Sequence, residues 1–149
     1  MPYTMKYKSD IKDIESIAGT WTGKVSQVLF GKNIEFDIKL DLQEDDCKVV
    51  GKAVLDVSNL QVKDESGNPL EPATLSITGA FYENRFLHLN YKNQDEPLQF
   101  GFIVIDLFEN IIKPEQMMKG LFIGYGPKSK KVINGEVVLR KTQTPNPSF

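Results

Sequence analysis

One cysteine, one histidine and one tryptophan stand among 149 residues, and each scarcity excludes a class of protein. A single thiol, Cys47, can form no bridge within the chain, so the fold must rest on an apolar core, and a reducing, cytoplasmic setting suits it. Within its apolar alternation Cys47 reads as a small buried hydrophobe rather than a nucleophile. A single imidazole, His88, rules out a histidine-rich metal site and leaves a Cys/His zinc site short of ligands; no metal and no cofactor is expected. The formal charge of −2 supplies no field of one sign, which argues against a nucleic acid polymer as partner. No apolar run approaches the roughly 18 residues that span a bilayer, so no membrane association is expected. The polar first ten residues, with Lys6 and Lys8, carry no secretory signal pattern. Nucleophile elbows and Walker loops are missing too. The glycine-rich Gly120–Gly126 lacks the charged partner and following helix of a phosphate loop, and reads as a strand relieved of crowding.

What remains is a globular composition, 40% hydrophobic and 26% charged, of a length that suits one domain over 1–149, with ends at 1–8 and 142–149 expected to fray. The clearest pattern is Asn33 to Gln43. Ile34, Phe36, Ile38, Leu40 and Leu42 alternate with Glu35, Asp37, Lys39 and Asp41, a period of two that only a strand with one wet face explains. Seven further segments read as strands: Gly19 to Phe30, Cys47 to Val57, Ala73 to Tyr82, Arg85 to Lys92, Leu98 to Leu107, Met118 to Tyr125 and Lys131 to Arg140. Short polar turns such as Gly31-Lys32, Glu83-Asn84 and Gly126-Pro127-Lys128 make successive strands antiparallel. Two connections are longer, Ser58 to Pro72 and Phe108 to Gln116.

Eight such strands leave two exposed edges unless the first pairs with the last. The expected fold is therefore all-β, an eight-stranded antiparallel up-and-down barrel; an open sandwich is the alternative. A short helix capped by Ser9 and ended by Gly19, with Ile11, Ile14 and Ile17 near one face, is expected to plug one end. Taking that end as the bottom, strand parity sends the turn after Phe30, Ser58 to Pro72, Asn93 to Glu96 and Gly126 to Lys130 to the top. Lys32, Lys63, Lys92, Lys128, Lys130 and Lys131 gather there with Asp64, Glu65, Glu71, Asp95 and Glu96, a rim of mixed sign.

Gly19-Thr20-Trp21 at the start of strand one resembles the glycine-any-tryptophan signature of lipocalins and the wider calycin barrels. That resemblance implies an arginine near the end of the last strand packed on the tryptophan at the closed end, and Arg140 in Val137-Val138-Leu139-Arg140 stands where it is expected. A guanidinium over an indole face contributes roughly 0.5–2 kcal/mol, so the Trp21–Arg140 pair would be structural closure. The chain of 149 residues shows neither the leader pattern nor the cysteine pair usual in lipocalins, and carries one tryptophan in place of the several of avidin barrels. It also looks like the soluble β-barrel of bacterial antiphage effectors that sense cyclic nucleotides, without the two membrane helices those carry.

The inward-facing candidates are Val25, Gln27, Phe36, Ile38, Leu55, Ile77, Phe81, Leu89, Tyr91, Ile103, Leu121, Ile123, Tyr125 and Val137, interrupted by Gly23, Gly51, Ala53, Gly79 and Gly135. Those small residues either let the strands bend around a filled core or leave a cavity with few polar groups. Strand eight faces inward through Ile133, Gly135, Val137 and Leu139, which sets Glu136 outside; the opposite register would bury Glu136 and raise its pKa. His88 shares the outer face of its strand with Phe86 and Asn90.

Three functions fit these residues. The first is a binding module that takes a small, largely apolar molecule, possibly with an anionic end, through Gln27, Phe36, Phe81, Tyr91, Tyr125, Lys128 and Lys131. The second is a barrel isomerase or cyclase, which needs a buried acid or base. The third is an interaction protein or cyclic-nucleotide-sensing module, with Phe100, Phe102 and Val104 of strand six facing out as a homodimer surface.

Overall fold

The structure is a computed structural model that describes residues 17–29, 31–45, 48–57, 67, 72–82, 85–109, 116–127 and 130–142. The expected plug helix before Ile17, Cys47, most of the connection 58–72, Lys128 and both chain ends lie outside these residues. Eight strands follow in order: β1 (Gly19–Leu29), β2 (Lys32–Asp45), β3 (Lys48–Asp56), β4 (Ala73–Tyr82), β5 (Phe86–Lys92), β6 (Phe100–Glu109), β7 (Gln116–Gly126) and β8 (Lys131–Lys141). Each pairs antiparallel with the next, and β1 pairs with β8 from Trp21 opposite Lys141 to Gln27 opposite Gly135. The sheet is a closed barrel, and the open sandwich is excluded.

The alternation read in β2 sets its orientation. Phe36, Ile38, Leu40 and Leu42 are buried while Glu35, Asp37, Lys39 and Asp41 are exposed. Neighbouring strands repeat the pattern, with Val49 and Ala53 of β3, Leu75 and Ile77 of β4, and Leu87 and Leu89 of β5 turned into one core. Each side chain so buried contributes roughly 1.5–3 kcal/mol, which is what holds the chain together in place of disulfides.

Burial is graded along the barrel axis. Trp21, Ile17, Leu87, Ile105 and Met118, toward the bottom, have no exposed surface. Higher up, Val25, Phe36, Ile103, Phe122 and Tyr91 show slight exposure, and Gln27, Ile34, Leu55 and Ile133 at the top are half-buried. Phe81 and Leu107 at the lower end are half-buried too, but that end holds the fully buried layer and the upper end holds more of the half-buried side chains.

The outside is two-sided. The charges of β2, with Lys48 and Lys52 of β3 and Lys24 of β1, make one side polar and break any apolar girdle of the kind a lipid-spanning barrel needs. The other side, β6 and β7, exposes Phe100, Phe102, Val104, Leu121 and Ile123. No helix among the described residues is long and apolar enough to cross a membrane.

Candidate functional site at the open end of the barrel

The site is best built from its floor. Trp21 is fully buried, and its indole Nε1 donates to the Ile17 carbonyl at 2.9 Å. Strand pairing sets Thr22 opposite Arg140 and Trp21 opposite Lys141. Side chains alternate along β8, so the step that turns Leu139 inward turns Arg140 out to solvent and Lys141 in. The expected Trp21–Arg140 contact is thus replaced by Lys141, whose ammonium lies 5.8 Å from the Trp21 ring centroid. Burial pushes the Lys141 pKa down, and the carboxylate of Glu44 pulls the other way. Thr142 fastens the strand end, its N–H donating to the Thr20 carbonyl at 2.9 Å.

β7 requires a second correction. Leu121, Ile123 and Tyr125 do not enter the lumen. Leu121 is 67% and Ile123 53% exposed, and Tyr125 shares their outer face, stacked on Phe100 with ring centroids 6.4 Å apart. The inward residues are Met118, Gly120, Phe122 and Gly124. Lys119 carries the signal that finds this register, because a lysine in the middle of a strand belongs on the wet face and Leu121, Ile123 and Tyr125 are on its parity; its ammonium pairs with Glu136 at 3.4 Å. In β7 the bulky side chains face outward and the glycines are core positions.

Those glycines are occupied space. A Cβ on Gly101 would lie 2.6 Å from the Tyr91 hydroxyl, and one on Gly124 would collide with the same hydroxyl and with the Phe100 carbonyl. A Cβ on Gly135 would lie 2.6 Å from the Phe122 ring. Tyr91 and Phe122 reach across bare backbone because no side chain opposes them, so aromatic rings fill the volume at these positions.

Above this layer stand the half-buried inward side chains of the upper end. Gln27 and Phe36 face inward there, the first half-buried and the second buried, and Tyr91 is 8% exposed. Desolvation raises the Tyr91 pKa to about 12, which keeps the phenol neutral and able to donate. The turn beside it is rigidly bonded: Asn93 N–H donates to the Gln99 carbonyl and Asn93 Nδ2 to Gln99 Oε1, both at 2.9 Å, and Asp95 N–H donates to Asn93 Oδ1 at 2.9 Å. Lys131 stands exposed on the rim at the start of β8. Phe81 does face inward, but it pairs with Leu87 at the lower end of β4 and is remote from the opening. The residues that join Gln27, Phe36 and Tyr91 are Ile34, Leu55 and Ile133, partly buried and packed against the core toward the upper ends of their strands.

The groups on which an isomerase reading depends are elsewhere. His88 stands on the outer face of β5, stacked on Phe102 with centroids 6.2 Å apart, and Glu136 is on the outer face of β8. No charged residue is buried as a whole among the described residues, although one carboxylate oxygen of Glu44 is, at the lower end near Lys141, and no three His, Cys, Asp or Glu side chains there could hold a metal ion. The lumen offers apolar contact, one neutral phenol and one amide, which suits holding a molecule. No family model, curated protein or solved structure matches this chain, so its agreement with a calycin-type barrel rests on eight closed antiparallel strands.

Proposed function

We propose that this barrel binds a small molecule at its open end, with an apolar body seated on Phe36, Ile34, Leu55 and Ile133 and a polar end at the Tyr91 hydroxyl and Gln27. The observation that supports the reading is that the half-buried Ile34, Leu55 and Ile133 stand at the same end as the two polar groups, Gln27 and the Tyr91 hydroxyl. Tyr91 is held by its fit over Gly101 and Gly124 and by the bonded turn that follows it, so little order remains to be imposed when a ligand enters. An anionic terminus would meet Lys131 at the rim, where a long-stemmed ammonium adds attraction that salt screens.

Anilinonaphthalene sulfonate, an apolar body with an anionic end, is a suitable probe. Fluorescence titration is expected to saturate at one probe per chain. Ile133→Glu, which sets a negative charge in the mouth, is expected to weaken binding at least about tenfold, equivalent to 1.4 kcal/mol. Leu121→Glu makes the same change of charge on the outer face and is expected to leave that affinity alone. Loss of binding in Leu121→Glu with none in Ile133→Glu would move the ligand out of the lumen and end the proposal.

A further inference from the structure

The outer faces of β6 and β7 are not accounted for by binding in the lumen. Rows of paired residues cross them: Phe100 with Tyr125 and Val132, Phe102 with Ile123, and Val104 with Leu121. From 47% to 67% of the surface of Phe100, Phe102, Val104, Leu121, Ile123 and Val132 is open. Together they place exposed apolar side chains on three neighbouring strands, the kind of patch that marks an interaction surface.

We infer that this face is the interface of a symmetric homodimer. Three features fit a second copy. The face is self-complementary. A two-fold axis across the strands at the Phe102–Ile123 row brings the flat Phe100–Tyr125 pair, with ring planes at 13°, over the aliphatic Val104 and Leu121 of the other copy. The charges along its lower edge are already compensated within the chain. Asp106 pairs with Arg85 at 3.6 Å and Glu136 with Lys119 at 3.4 Å, and the exposed Lys92, opposite Phe100 on β5, stands at the upper edge of the face. Finally, the opposite wall of the barrel, β1 to β3, is polar, so one apolar face closes a pair and leaves nothing to extend into a filament.

Sedimentation equilibrium on the full chain tests this inference independently of ligand binding. The wild type is expected at twice the 16.9 kDa chain mass at micromolar concentration. Ile123→Lys sets two ammonium groups against each other at the axis and is expected to raise the dimer dissociation constant by about 100-fold or more. Because Ile123 is half open to solvent, the fold should persist, and circular dichroism of Ile123→Lys and of Val104→Lys checks that. A wild type that stays monomeric at hundreds of micromolar overturns the inference. So does a dimer that survives both substitutions, or a monomer that floats with phosphatidylcholine vesicles, which would give the face to lipid.

Discussion

Tyr91 is where folding and binding meet in one side chain. Its ring packs over the bare backbone of Gly101 and Gly124, while its hydroxyl, near the open end, makes no hydrogen bond to another described residue. The raised pKa has a sign that can be checked. The neutral phenol is preferred in the folded state, so its contribution to stability is complete below the ordinary value of 10.0 and is lost as pH rises through about 12. Ultraviolet titration of tyrosinate is expected to show one step near 12 in the wild type that Tyr91→Phe removes. The same substitution is expected to change stability by less than about 1 kcal/mol at neutral pH, since no protein partner loses a bond. Titration of Tyr91 at the ordinary value would mean that the phenol stands in water, and that the upper lumen is wetter than described.

At the scale of elements, the seam between β1 and β8 decides whether a lumen exists, and it is fastened at its lower end by Lys141 rather than Arg140. The two neighbours are therefore expected to respond differently to truncation. Arg140→Ala removes an exposed side chain and should alter urea stability by no more than about 0.5 kcal/mol. Lys141→Ala removes a cation and its alkyl stem from the Trp21 face, should cost about 1 kcal/mol, and should shift the Trp21 emission. Equal effects, or a larger one at Arg140, would restore the pairing expected from the calycin resemblance.

This seam also shows what the residues alone could and could not tell. The alternation of β2 was legible because charges mark one face throughout, and strand order followed from short turns. β7 was not legible in the same way, because it is apolar on both faces and its core side is made of glycine. There the only marker of register was Lys119, a single charge against three bulky side chains pointing to the opposite conclusion. Arg140 failed for a related reason. The tryptophan and the arginine were matched as a motif, whereas one residue of parity separates inside from outside. Phe81 faces inward as its alternation predicts yet lies at the lower end of β4, since alternation specifies a face and says nothing of height along the axis.

The whole molecule is a barrel with distinct ends and distinct sides. Its lower end is packed around Trp21, its upper end carries the half-buried Ile34, Leu55 and Ile133, β1 to β3 face water with charge, and β6 and β7 expose rings and aliphatic groups. The first contrast supports an internal ligand and the second a partner copy, and the two are separable because the mouth and the apolar wall use different residues. The most direct test of the internal site is a map of where a probe binds. In amide nitrogen–proton correlation spectra of the full chain titrated with anilinonaphthalene sulfonate, saturable shifts are expected at Gln27, Tyr91, Gly101, Gly124 and Gly135 around the opening. Shifts confined to Val104, Leu121 and Ile123 on the outer wall, or a titration that never saturates, would contradict the account.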